Sequence, residues 1–207
     1  MSIPFTEALR ADITARCADF PRHVEPVSAL KLAAVAIVVV PADDGVEAGF
    51  LLTRRAATLR GHAGQWALPG GRCDEGETLE IAALRELGEE VGVRLAPDRI
   101  LGVLDDYPSR SGYAIAPVIV WGGADLVLRP NPDEVASVHR IPLSLFSQPG
   151  AVEFITIPES DRPVIRLHFA ERNIHAPTAA LIYQFIELLA GRITRVAELE
   201  QPVFAWR

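Results

Sequence analysis

Two cysteines are all that this 207-residue chain contains. Cys17 and Cys73 form no CxxC pair and have no histidine companions at zinc spacing, which argues against a disulfide framework and against a structural zinc site. Cys73 reads as a bystander thiol rather than a nucleophile. Long apolar runs are also missing. The longest, Leu32 to Val40, is far below the roughly 20 residues that span a bilayer, so it reads as a buried strand and no membrane partner is expected. The first twenty residues mix charges through their turns and lack the apolar core of a signal peptide, so the expected location is cytoplasmic. A net charge of -7 and a pI of about 5.3, with no basic stripe, weigh against nucleic acid as a partner. No internal repeat or low-complexity segment interrupts the chain.

What is present suffices for one core. Hydrophobic residues make up 49% of the chain, enough for a single domain with terminal additions. We expect a helical N-terminal extension over 1–30, the main domain over 31–191 and a tail over 192–207. The pattern predicts a helix near 5–19, then strands near 31–40, 49–54 and 65–69, each bounded by turn formers. A second helix is expected from Thr78 to Val91. Strands near 100–106, 113–121, 135–140, 152–157 and 163–170 follow with Pro and Gly punctuation. A last helix from Pro177 to Gly191 opens on proline and stops at glycine. Mixed strands with helices on both sides predict an α/β class, an α/β/α sandwich around a mixed β-sheet.

The densest chemistry lies between Gly71 and Val93, GRCDEGETLEIAALRELGEEVGV. At 3.6 residues per turn, Glu86, Glu89 and Glu90 share one helix face, and Leu84, Leu87 and Val91 are expected on the opposite, core-facing side. Two carboxylates about 4 Å apart repel by roughly 4 kcal/mol at an effective dielectric near 20, so the cluster calls for a cation. Hard oxygen ligands select Mg²⁺ or Mn²⁺ over softer metals. An acidic chain that must hold a polyanionic substrate needs the same cation a second time. Arg85 pairs with Glu77 or Glu89 on this reading and keeps the carboxylates in register. Gly70 and Gly71 permit a tight turn, Gly88 leaves open space beside the glutamates, and Gly92 fits a helix stop. A merely solvated Glu-rich face needs neither the double glycine nor Glu77 at its fixed offset.

This segment resembles the Nudix hydrolase box at every defined position: Gly71, Glu77, Arg85, Glu86, Leu87, Glu89, Glu90, Gly92 and Val93. The resemblance implies the Nudix fold, divalent metal at Glu86, Glu89 and Glu90, and the Gly70 carbonyl as a further ligand. Residues 51–71, LLTRRAATLRGHAGQWALPGG, are similar to the signature of coenzyme A pyrophosphatases within that superfamily, at Leu51, Leu52, Thr53, Arg55, Ala56, Arg60, Gly64, Pro69, Gly70 and Gly71. Leu68 stands where that signature has phenylalanine. The segment also holds the densest basic cluster of the chain, Arg54, Arg55, Arg60 and His62, and forked guanidinium groups suit phosphates. Arg55 and Arg60 are therefore the candidate substrate-binding residues; His62 either contacts phosphate or caps the loop.

Downstream, GYAIAPVIV and NPDEVASVHRIPLSLF resemble later parts of the same subfamily, and Glu134 there is either a further metal ligand, the general base or an exposed loop residue. Where the subfamily shows Trp-Gly before Thr-Ala, this chain has His175, Ala176 and Pro177. The function implied is metal-dependent cleavage of the diphosphate in coenzyme A or acyl-coenzyme A. The alternatives are another nucleoside diphosphate derivative, such as ADP-ribose or a dinucleotide, and a nucleotide-sensing module that does not cleave. A small-molecule nucleotide is the expected partner, and a homodimer is the family-level expectation.

Overall fold

The computed structural model describes residues 2–26, 30–59, 61–169 and 173–205. The layering follows from one strand. In β1 (Lys31–Pro41), Ile37 and Val39 point into one apolar cluster while Ala36, Val38 and Val40 point into another. Both faces of β1 are buried, which is why its residues are apolar without alternation. β1 pairs antiparallel with β2 (Ala48–Arg55) and parallel with β7 (Tyr113–Trp121). β2 carries β3 (Trp66–Ala67) and β8 (Val135–Pro142), and β7 carries β5 (Ile100–Val103) and β6 (Tyr107–Pro108). With β4 (Gly70–Arg72) beside β1, the described residues form a mixed sheet of 8 strands. A second, antiparallel sheet joins β9 (Val152–Ile157), β10 (Ser160–Leu167) and β11 (Ile174–His175).

One face of the main sheet is covered by α2 (Leu79–Val91), through Ala82, Ala83, Leu87 and Val91. The other carries α1 (Glu7–Asp19), through Ile13 and Cys17, and α3 (Thr178–Leu189), through Ala179, Ile182, Phe185 and Ile186. Burying one such Leu or Phe contributes about 1.5–3 kcal/mol. This is the expected α/β/α sandwich on a mixed sheet.

Three local expectations need correction. The strand expected over 65–69 is two short pieces, Trp66–Ala67 and Gly70–Arg72; the second was not expected because glycines weaken a strand interior. The strand expected over 100–106 stops at Val103, because Asp105 and Asp106 turn inward and are almost fully buried. Asp105 accepts from the His23 N–H at 2.6 Å, from Gln184 Nε2 at 2.9 Å and from Arg195 at 2.9 Å; Asp106 accepts from Arg22 at 2.7 Å. Two buried carboxylates thereby fasten the segment after α1 and the one after α3 to the sheet. Gly88 does not border open space: a Cβ there would make ordinary contacts at 3.8 Å with Arg94 and Val93. No described helix is long and apolar enough to cross a membrane.

Candidate active site

Helix α2 is fixed at both ends by its own sequence. The Thr78 hydroxyl caps its start, accepting from the Ile81 N–H at 3.3 Å, and Gly92 ends it in the left-handed conformation at φ 72°. Between these caps the three glutamates do not share one environment. At roughly 100° per residue, Glu90 falls between Glu86 and the core residue Leu87, so it is drawn inward. Its residue exposure is 5%, whereas the Glu89 side chain is 56% exposed and that of Glu86 15%. The core-facing side is as expected: Leu87 and Val91 are buried in one apolar cluster and Leu84 packs against it, partly buried.

Arg85 organises the outer carboxylates. Its guanidinium donates to both Glu77 oxygens at 2.8 and 3.0 Å, to Glu86 at 2.9 Å, to Glu89 at 3.0 Å and to the Arg72 carbonyl at 2.9 Å. A planar fork with five N–H groups can do this and an ammonium cannot. The Glu77 carboxyl is held below its ordinary range by Arg85 and by the Asp74 N–H. The glycine pair explains itself on the same ground. A Cβ on Gly71 would sit 2.4 Å from Glu86 Oε1, and one on Gly70 would sit 2.3 Å from the Ala34 carbonyl. The Gly70 N–H donates to Glu90 Oε2 at 3.2 Å.

Glu134 is brought to this ground from a distant loop. The Asn131 N–H donates to the Glu90 carbonyl at 2.9 Å, the Asn131 side chain donates to Glu134 at 3.3 Å, and the Glu134 carbonyl accepts from the Ala56 N–H at 2.8 Å. Burial pushes Glu90 up to about 7, against the Gly70 hydrogen bond and Arg55; the negative charges of Glu86 and Glu134 push it further. Glu86 is likewise raised, by burial first, with Glu89 and Glu134 adding to it against Arg85. Glu86, Glu90 and Glu134 thus feel one another's charge. Arg55 adds a second cation among the described residues, with Nη1 3.9 Å from Glu90 and a buried Nε that has no hydrogen-bond partner among them.

The donor set fits a hard divalent cation. Every donor is a carboxylate or backbone oxygen, and among the described residues Glu77, Glu86, Glu89, Glu90 and Glu134 outnumber the guanidinium groups of Arg55 and Arg85 in contact with them. Among the described residues no three acidic, histidine or cysteine side chains already converge on one point. Arg85 instead lies between Glu86 and Glu89 and offsets their repulsion, so a divalent cation would have to draw the carboxylates together.

Beside Gly70 opens a cavity of about 240 Å³. It is lined by the apolar side chains of Val35, Leu68, Ile115 and Leu181 and by Arg55, His62 and Gln201. His62 is held at φ 54°, an uncommon conformation for a side-chain-bearing residue, and its carbonyl accepts from the Gln65 N–H at 3.2 Å. Arg60 lies outside the described residues. Two cavity residues, Gln65 and Trp66, sit inside the arginine-rich segment, where the turn chemistry around them was a usable signal. Gln201 had none, since only the tertiary fold brings the chain end here.

Comparison with known proteins agrees with this geometry. The family model described as "NUDIX domain" matches residues 30–161. A protein of Cronobacter sakazakii named "Uncharacterized Nudix hydrolase NudL" is 44% identical over 110 residues, which are 53% of this chain and 57% of that protein. The chain therefore spans little more than half the length of that relative. The protein of the same name in Pectobacterium atrosepticum is 38% identical over 141 residues, 68% of this chain and 72% of that one. A MutT/nudix family protein from Enterococcus faecalis shares the fold with a TM-score of 0.56 at 16% identity, over 94% of this chain and 78% of that one. Glycine pair, capped helix and carboxylate set all fall within the matched region, and the chain belongs to the Nudix family.

Proposed function

We propose that this chain hydrolyses the diphosphate bond of a nucleoside diphosphate derivative, with coenzyme A or an acyl-coenzyme A as substrate. The products are 4′-phosphopantetheine, or its acyl form, and adenosine 3′,5′-bisphosphate. The observation that carries this reading is the juxtaposition of the acidic end of α2 with a cavity that opens at Gly70 and bears Arg55 and His62.

Glu86, Glu89 and Glu90, with the Gly70 carbonyl, would hold Mg²⁺ or Mn²⁺. Bound there, the metal supplies positive charge against the phosphoryl oxygens and acidifies water. The chain's own groups do the rest. Arg85 keeps Glu77, Glu86 and Glu89 at fixed separation. Arg55, with Arg60 from the same segment, donates forked hydrogen bonds to the substrate phosphates and places the scissile bond. One of the four carboxylates Glu86, Glu89, Glu90 and Glu134 takes the proton from the attacking water. The apolar lining of Val35, Leu68, Ile115 and Leu181 excludes solvent from one side of the bond.

The test is a panel of coenzyme A, acetyl-coenzyme A, dephospho-coenzyme A, ADP-ribose and NADH, each incubated with the protein and Mg²⁺ or Mn²⁺, with products separated by chromatography. Cleavage of coenzyme A in preference to its dephospho form is expected. Equal rates on all five would replace coenzyme A by the broader nucleoside diphosphate class, and no turnover on any would overturn the reading.

A further inference from the structure

A second cavity, of about 340 Å³, lies against the first. Gln65, Trp66, Pro177 and Thr178 line both, so the two chambers share a wall. The outer chamber is built for a ligand different from a phosphate. Its walls are the Trp66 indole, Ile174, His175 and the Phe204 ring, with His175 and Phe204 in edge contact at 5.2 Å; its polar groups include the Gln65 and Asn173 amides. Aromatic faces with a few amides suit an uncharged, amide-bearing chain.

Phe204 follows a segment, residues 199–201, that is held in place. Glu200 is fully buried, and its carboxylate accepts from Arg110 at 2.5 and 3.2 Å, from the Ser160 hydroxyl at 2.9 Å and from the Gln201 N–H at 2.9 Å. Arg162 lies 3.6 Å away. The Glu200 N–H donates to the Pro163 carbonyl at 2.7 Å, and the Leu199 carbonyl accepts from the Tyr107 hydroxyl at 2.9 Å. Gln201 of this anchored segment lines the inner chamber, and Phe204 just beyond it lines the outer. Phe204 is 60% exposed, so its position is not required to fill the core.

We propose that the C-terminal segment is a specificity element: fastened by Glu200, it supplies Phe204 as the outer wall of a chamber that takes the uncharged, amide-bearing arm of the substrate beyond Trp66. The inference rests on the reading that a nucleoside diphosphate ester is cut at α2, and it adds where the leaving arm lies. Because Phe204 lines the outer chamber and not the one that bears Arg55, His62 and Gly70, that ring acts on affinity for the arm and not on the nucleotide half.

The experiment measures binding by calorimetry in the presence of Mg²⁺, with 4′-phosphopantetheine as the arm probe and adenosine 3′,5′-bisphosphate as the nucleotide probe. Phe204→Ala is expected to weaken 4′-phosphopantetheine by about tenfold and leave the bisphosphate within twofold, while Phe204→Tyr restores the arm probe. Phe154→Ala, which removes an exposed ring lining neither chamber, should change neither. His175→Ala provides a second reading of the same chamber and should also weaken the arm probe alone. Equal weakening of both probes, no change in either, or no binding of 4′-phosphopantetheine to the unaltered protein would overturn the proposal. Hydrolysis is scored separately. Arm binding without coenzyme A cleavage removes the reaction and keeps the chamber; cleavage with a Phe204→Ala protein that binds the arm normally removes the chamber and keeps the reaction.

Discussion

Replacing Gly71 by alanine should separate catalysis from stability. The added Cβ would lie 2.4 Å from Glu86 Oε1, 2.6 Å from its carboxyl carbon and 2.8 Å from Oε2, where ordinary contact begins at 3.4 Å. The carboxylate must therefore retreat by about 1 Å. It can do so, because the obstructing atoms end a flexible side chain; the cost is the 2.9 Å hydrogen bond from Arg85, worth about 1.5–3 kcal/mol when charged and less where solvent re-forms it. A displacement of this size in a positioned group lowers turnover by on the order of 100-fold. Gly70→Ala meets backbone instead, at 2.3 Å from the Ala34 carbonyl and 2.5 Å from Val35 Cα, at a φ of 156°. That change should open the β1–β4 pairing and lower the melting temperature outright. The assay pairs thermal unfolding with initial rates on the best substrate of the panel. A Gly71→Ala protein with undiminished kcat would show that the Glu86 position does not limit turnover, and one as destabilised as Gly70→Ala would show that the Glu86 side chain cannot yield.

Three further outcomes follow from the same contacts. Arg85→Lys keeps the charge and loses the fork that reaches Glu77, Glu86 and Glu89 together; kcat should fall at least about tenfold with little change in unfolding, and an unchanged kcat would show that register is set elsewhere. Asp105→Ala removes the acceptor of Arg195, Gln184 and the His23 N–H; denaturant titration should show a loss of about 2 kcal/mol, and a loss below about 0.5 kcal/mol would contradict the fastening role. For Glu200, burial raises the pKa, but Arg110, the Gln201 N–H, Ser160 and Arg162 outweigh it and hold the group at about 2, below the ordinary 4.5. A depressed carboxyl contributes stability above its unfolded pKa and loses it as pH falls through the folded one. Between about pH 4.5 and 2 the protein should therefore lose up to about 3 kcal/mol that a Glu200→Gln variant does not lose; parallel pH curves for the two would refute this.

Much of the scaffold was legible because it is written in period and punctuation. The apolar run of β1, the Thr78 and Gly92 caps of α2 and the Gly71-to-Val93 spacing each signal their structure locally. What the sequence hid depends on distance. Glu86, Glu89 and Glu90 look equivalent at helical spacing, yet packing beside Leu87 buries Glu90, and Arg85 holds Glu89 near the surface. Buried Asp105 and Asp106 read as an ordinary strand end, since their partners lie about eighty residues away on either side. The Glu200 anchor and the Phe204 wall sit in what reads only as a tail over 192–207; among the described residues it holds a 3-10 turn at Val203–Ala205.

The claim on which the account turns is that Glu86 and Glu90 bind the divalent cation that makes diphosphate cleavage possible. Mn²⁺ titration followed by electron paramagnetic resonance, on the unaltered protein and on Glu86→Gln and Glu90→Gln, measures it directly. Bound Mn²⁺ is expected in the first, with affinity lower by at least about tenfold in each variant and hydrolysis reduced by orders of magnitude in parallel. Equal Mn²⁺ affinity in all three proteins, with hydrolysis intact, would contradict it.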